Sequence, residues 1–194
     1  MIMMFLMKLF SARKFQKGFT LIELLVVIGI LGILAAALVA TIDPFEQLKK
    51  ADDSKIKNIA VEFQTANVRY YTTHGAFPWN DSNNGDATCT GLEATAPFTA
   101  QLDSAEMVSC ITNALIAEGE LKNSFAINTN DLARVYVTWD DTDATNMVVC
   151  FEPHSKSQKA APDSQYDNDG GAYSGAQNCP SANADDGECH WCTR

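Results

Sequence analysis

From Phe19 to Ile42 the chain runs for 24 residues with a single ionisable side chain, Glu23. At about 1.5 Å of rise per residue, a helix of that length crosses a hydrocarbon core of about 30 Å. A carboxylate held in lipid is costly and marks a functional position by default, so Glu23 calls for a partner. After this run, T-I-D-P-F-E-Q-L-K-K offers Asp43 as an N-cap and Pro44 in the first turn of a renewed helix, so an interruption or kink is expected there. Ile56, Ile59, Phe63, Ala66 and Tyr70 then recur at steps of three and four. That stripe predicts an amphipathic helix packed on a sheet. His74-Gly75, with Phe77-Pro78 beyond, predicts its end.

The polar stretch from Trp79 to Gly91 reads as a surface loop. From Gln101 to Gly119 the apolar positions return to helical spacing, which predicts a second, shorter helix with Gly119 as its stop. Arg134 to Trp139 and Asn146 to Glu152 are β-branched and aromatic runs separated by D-D-T-D-A-T, a hairpin with a longer loop. Leu121 to Ile127 is a candidate further strand. From His154 onward the composition is too polar to form a core, and three cysteines in this stretch are what would restrain it.

Charge sets the direction of the span. Lys8, Arg13, Lys14 and Lys17 give the first eighteen residues +4 with no acid, whereas the remainder holds 10 basic and 24 acidic residues, a net of −14. The basic flank should stay in the cytoplasm and the acidic remainder should face outward. An acidic exterior argues against direct nucleic-acid binding. All six cysteines, Cys89, Cys110, Cys150, Cys179, Cys189 and Cys192, fall in that exterior, where an even count predicts disulfides among 15 connectivities. The leader is not a secretory signal peptide, since no small-residue cleavage site closes the apolar run, and Ala35, Ala36 and Ala37 read as helix packing. Met7 is an alternative start.

The segment K-G-F-T-L-I-E, with Gly18 before Phe19 and an apolar helix after it, resembles the type IV pilin and pseudopilin family. Y-Y-T-T-H-G-A-F-P is similar to the end of the long helix in many such proteins. The resemblance implies that a prepilin peptidase cuts between Gly18 and Phe19 and N-methylates Phe19. It also implies that mature subunits pass from the bilayer, through a membrane assembly platform, into a filament packed through these helices. Gly29 and Gly32 fall where such helices often carry glycine. Many members have proline at the position of Ala40, whereas here the proline arrives at Pro44. Cutting at Gly18 would create an α-ammonium, the cation that Glu23 lacks, available within one helix or from a staggered neighbour.

Other constellations carry less. Cys189-His190-Trp191-Cys192 could be a redox pair or, with Cys179 and His154, a zinc site, but it lacks the context of the first and fails the haem pattern; structural disulfides are the simpler reading. Asp163, Asp167, Asn168 and Asp169, or Asp140, Asp141 and Asp143, are weak calcium candidates, and some pseudopilins use calcium in C-terminal loops. No other cofactor is expected. Lys49, Lys50, Asp52, Asp53, Lys55 and Lys57 read as a solvated helix face or as charges paired with neighbouring subunits. His74, His154 and His190 sit in presumed loops, no catalytic motif appears, and no enzyme is expected.

The expected fold is α+β: a leader over 1–18, a membrane and filament-core helix over 19–42 and an amphipathic continuation over 43–75. A globular head follows over 76–153, packed as a small antiparallel sheet on the helix, with a disulfide-stapled region over 154–194. The expected function is a structural pilin, first a single-pass membrane precursor with its N-terminus inside, then part of a surface filament of identical or related subunits. The rivals are a pseudopilin of a type II secretion system, a minor subunit for DNA uptake, and an anchored extracellular binding protein or enzyme.

Overall fold

The computed structural model describes residues 18–41, 43–125, 129–140, 146–175, 178–184 and 188–193. Contacts divide the chain into two units, Met1–Asp43 and Pro44–Arg194. The first is the helix α1, Leu21–Thr41, whose large apolar side chains are exposed along its length. It is the one described helix long and apolar enough to cross a membrane.

The second unit opens with α2, Pro44–His74, in which Pro44 occupies the first helical position, where its missing N–H costs nothing. Gly75 adopts φ +75° and its N–H closes on Tyr71 O at 2.8 Å, the glycine stop that the sequence predicts. Short elements follow: α3 (Ala87–Thr90), a 3₁₀ turn (Glu93–Thr95), β1 (Phe98–Gln101), α4 (Ala105–Cys110) running into a π-helical turn (Ile111–Ile116), and α5 (Thr129–Leu132). The chain ends through β2 (Val135–Trp139), β3 (Val148–Phe151), α6 (Lys156–Lys159) and β4 (Trp191–Cys192). The four strands form an antiparallel sheet in sequence order, with Phe98 opposite Trp139, Val137 opposite Val149 and Cys150 opposite Cys192. The helix α2 packs over it, chiefly on β3.

Ile56, Phe63, Ala66 and Tyr70 of the predicted stripe are buried, while Ile59 only flanks the core beside fully buried Ala60. The seam also holds Asp53 and Asn67, which its apolar reading leaves out. The segment expected as a surface loop starts inside the protein: Trp79 is fully buried, with ring centroids 5.2 Å from Phe77, 5.6 Å from Phe98 and 6.1 Å from Trp139. One indole buries enough apolar area to anchor polar chain on either side.

The second predicted helix begins late, because Gln101 is the last residue of β1 and Ser104 caps α4 by accepting from Met107 N–H at 3.3 Å. Gly119, at φ +77°, does stop it. Residues 121–125 are not a strand: Leu121 N–H donates back to Leu115 O at 3.0 Å and closes the π-helical turn. Residues 126 and 127 of that candidate strand lie outside the described residues, as do Asp141 and Asp143.

Three disulfides complete the unit: Cys89–Cys110, Cys150–Cys192 and Cys179–Cys189. The second joins strand partners, and Thr193 N–H adds a bond to Val149 O at 2.9 Å, so β4 is fastened to the sheet covalently and by its backbone. Against the sheet, Gly170 runs at φ +79° so close to Val148 that a Cβ there would lie 2.7 Å from its Cγ1.

Asp53 is not on a solvated face; it is 2% exposed and ties three regions together. Its Oδ1 accepts from Arg134 Nη2 at 2.7 Å and from His154 N–H at 2.9 Å, and its Oδ2 accepts from Ser155 N–H at 2.7 Å. Arg134 also reaches Asp52 and donates to Glu152 O at 2.7 Å. Burial alone would raise the Asp53 pKa, but these hydrogen bonds outweigh it and hold the carboxyl below its usual range. Asp53→Ala should therefore cost about 3–5 kcal/mol at neutral pH, because it leaves a buried guanidinium and two amides without their acceptor. Urea unfolding checks this, and the gap between parent and variant should hold at neutral pH and narrow once pH falls through the ordinary carboxylate range, where the unfolded parent takes up a proton that the folded carboxylate still refuses.

Candidate functional site

The start of α1 is built on the sequence T-L-I-E. The main-chain N–H and the hydroxyl of Thr20 both donate to Glu23 Oε2 at 2.8 Å, and Glu23 N–H donates to Thr20 Oγ1 at 3.2 Å. The first helical bond, from Leu24 N–H to Thr20 O, is 3.2 Å. This is a reciprocal capping box, with Thr20 at the N-cap and Glu23 three residues on. Helix N-termini leave donors without partners, and here the lone carboxylate satisfies one of them. Glu23 thus has a partner before any cleavage, which revises the expectation that it lacks one. The signal was present in the sequence as a Thr-x-x-Glu quartet before an apolar run.

Phe19 is 81% exposed, and a Cβ at Gly18 would meet nothing within 4 Å. The two residues either side of the expected cut are therefore open to solvent or to another protein. Phe19, Ile22, Val26 and Val27 line an apolar flank on which Glu23 also borders. Geometry of this kind suits packing against other apolar helices.

The remaining candidates lie in the second unit. Cys189 and Cys192 are bonded to Cys179 and Cys150 and not to each other, so the C-x-x-C spacing is no redox pair in this structure, and the cysteines named for zinc are in disulfides. Of the calcium candidates, Asp163 accepts from Trp191 Nε1 at 2.7 Å and lies 3.5 Å from Lys57 Nζ. Asp169 Oδ1 accepts from Gly171 N–H at 2.8 Å, and the Asp167 main chain pairs with Gly171 and Gly170. Asp140 and Asp169 line one open groove with Thr138, Asn146 and Thr193, while Asp163 lies outside it. Among the described residues no three metal-ligating side chains cluster.

The histidines occupy separate surroundings. His74 stacks on Tyr70 at 4.0 Å, His154 lies 3.7 Å from Glu152, and His190 is buried edge-on to Tyr136 at 5.5 Å. Burial pushes the His190 pKa down, against the pull of Glu152, Asp167, Asp169 and Glu188. The sequence reading missed Asp86. It caps α3 through Thr88 N–H at 2.9 Å and accepts from Ser109 Oγ and from Asn113 Nδ2 at 2.7 Å, contacts that bring its pKa to about 2. With Cys89–Cys110 it fixes α3 to α4, a structural role.

The family model described as the prokaryotic N-terminal methylation motif matches residues 13–39, the segment that contains Gly18, Phe19 and the capping box. Among curated proteins, a fimbrial protein of Neisseria meningitidis is 32% identical over 108 residues, 56% of this chain and 59% of its own length. A type IV major pilin protein PilE1 of Neisseria gonorrhoeae is 40% identical over 73 residues, 38% of this chain and 43% of its own. The fimbrial protein EcpC of Eikenella corrodens is 36% identical over 75 residues, 39% of this chain and 48% of its own. The chain thus spans just over half the length of the first of these relatives and less of the others. No solved structure matches significantly. Over the methylation segment and the helices that follow it, the chain is similar to these fimbrial and type IV pilin proteins.

Proposed function

We propose that the chain is a structural subunit of a type IV pilus-like filament. It would be held in the membrane by α1 until a prepilin peptidase cuts between Gly18 and Phe19 and methylates the new N-terminus. An assembly platform then moves it into a surface filament of identical or related subunits. The observation that carries this reading is an apolar helix exposed along its whole length yet capped by its own Glu23. Before assembly lipid covers that surface, and afterwards like helices can. The names of the relatives, major pilin and fimbrial protein, support the same reading.

Glu23 has two parts in this proposal. Through Oε2 it closes the capping box, and Oε1 has no partner among the described residues. Once the peptide bond at Gly18 is cut, the α-ammonium of Phe19 on the same or a neighbouring helix becomes a charged donor for it. In a lipid or protein interior, attraction between the two is far stronger than in water.

Two substitutions separate these parts, and a third tests cleavage. Glu23→Gln keeps a side chain able to cap and removes the charge; filament yield, scored by shearing and electron microscopy, should fall to roughly a tenth while the membrane-bound pool stays normal. Thr20→Ala loosens the cap and keeps the charge, and should assemble nearly as the parent does. Normal yield from Glu23→Gln would remove charge pairing from the account. Gly18→Leu should leave the leader attached, read as an uncut N-terminus by mass spectrometry; normal processing in that variant would defeat the cleavage proposal.

A further inference from the structure

The second unit is strongly acidic, with 10 basic and 22 acidic residues from Pro44 to Arg194. Its cations are not spread evenly. Between Arg69 and Lys122 there is neither Lys nor Arg, while Lys49 and Lys50 stand together in the opening turns of α2. Neither forms an ion pair among the described residues, in contrast to Lys55, which pairs with Asp131, and Lys57, which lies 3.5 Å from Asp163 and 4.2 Å over the Trp191 ring. A third cation arrives from far along the chain. Ser157 N–H donates to Glu46 Oε1 at 3.4 Å and brings the start of α6, with exposed Lys156, to the first turn of α2.

The same turns expose apolar bulk. Phe45 is 74% and Leu48 68% exposed, and at a spacing of three residues they share one side of the helix. An exposed aromatic and an exposed leucine flanked by lysines form the composition that settles at a membrane–water interface, rings and chains at the acyl boundary and ammonium groups among phosphates. The acids in this region are Asp43, Glu46, which already accepts from Ser157, and Asp52, which is paired with Arg134. Phe45 comes only four residues after Thr41, where α1 ends, so these turns directly follow the span along the chain.

We propose that Phe45, Leu48, Lys49, Lys50 and Lys156 form an interfacial foot that binds the anionic lipid headgroups of the leaflet on the head's side. The foot holds an otherwise acidic head against a surface that would repel it. This rests on the reading of α1 as a bilayer anchor. It adds a lipid-sensitive hold outside the span, one that must be broken when a subunit leaves the membrane.

The test uses the full chain reconstituted in vesicles, with Phe45→Trp as a reporter measured as the increment over the native Trp79, Trp139 and Trp191. Acyl-brominated lipid should quench that increment, at least roughly twofold more in vesicles with phosphatidylglycerol than in phosphatidylcholine alone. Salt should reduce the difference, and so should combined Lys49→Glu, Lys50→Glu and Lys156→Glu. Quenching by aqueous iodide with none by brominated lipid would overturn the foot, as would lipid quenching indifferent to phosphatidylglycerol. Shielding that follows the protein-to-lipid ratio would assign the patch to a second copy of the chain and also overturn it. Carbonate extraction distinguishes the failures: a chain stripped from the vesicles defeats the anchor and the foot together, whereas a retained chain with an unquenched Trp reporter defeats the foot alone.

Discussion

The carboxylate of Asp53 is the point at which the second unit is tied together. It stands in the buried seam of α2, takes the Arg134 guanidinium from the start of β2, and caps the backbone at His154 and Ser155, where the chain leaves the sheet for its long polar end. Helix, sheet and C-terminal region meet on two oxygen atoms. Apolar packing above it, from Ile56 through Phe63 to Tyr70, supplies most of the cohesion, but that packing is tolerant of small slides. A buried charge pair held by several hydrogen bonds is not, since a shift that breaks it strands both partners in low dielectric. Asp53 thus contributes register as well as energy.

The parts of the fold legible in the sequence were those with a long period or a strong stop. The apolar run, the stripe from Ile56 to Tyr70, the Gly75 and Gly119 stops and the hairpin strands around Val137 and Val149 all carry local signals that tertiary contacts reinforce. What escaped was decided by partners far away. Phe98–Gln101 has only four residues and becomes a strand through Trp139, and Trp191–Cys192 has two and becomes one through Cys150. Asp53 looked like one charge among several because Arg134 lies 81 residues away. Trp79 looked solvated because its neighbours in sequence are polar, whereas its neighbours in space are aromatic.

At the N-terminal segment the structure adds a local contact. The family resemblance drew attention to Gly18, Phe19 and Glu23, and a reading centred on the missing cation passed over Thr20, three residues from the carboxylate. A helix that must form in lipid benefits from closing its own N-terminus, because no water is there to take up the first amides. Capping therefore accounts for a glutamate at the edge of an apolar segment, and the proposed assembly role would place a compatible demand on the same side chain.

The three disulfides also have an order. Cys89–Cys110 closes an interval of 21 residues by itself, and Cys179–Cys189, spanning 10, lies wholly within the 42 enclosed by Cys150–Cys192. No bridge interlocks with another, so the covalent graph is one separate ring and one ring inside a larger ring. Each can be opened without unthreading the others. Opening the inner ring loosens a short turn, but opening the outer one removes the covalent tie of everything after β3 to the sheet and leaves it held by the β4 pairing and by Asp53 at His154 and Ser155.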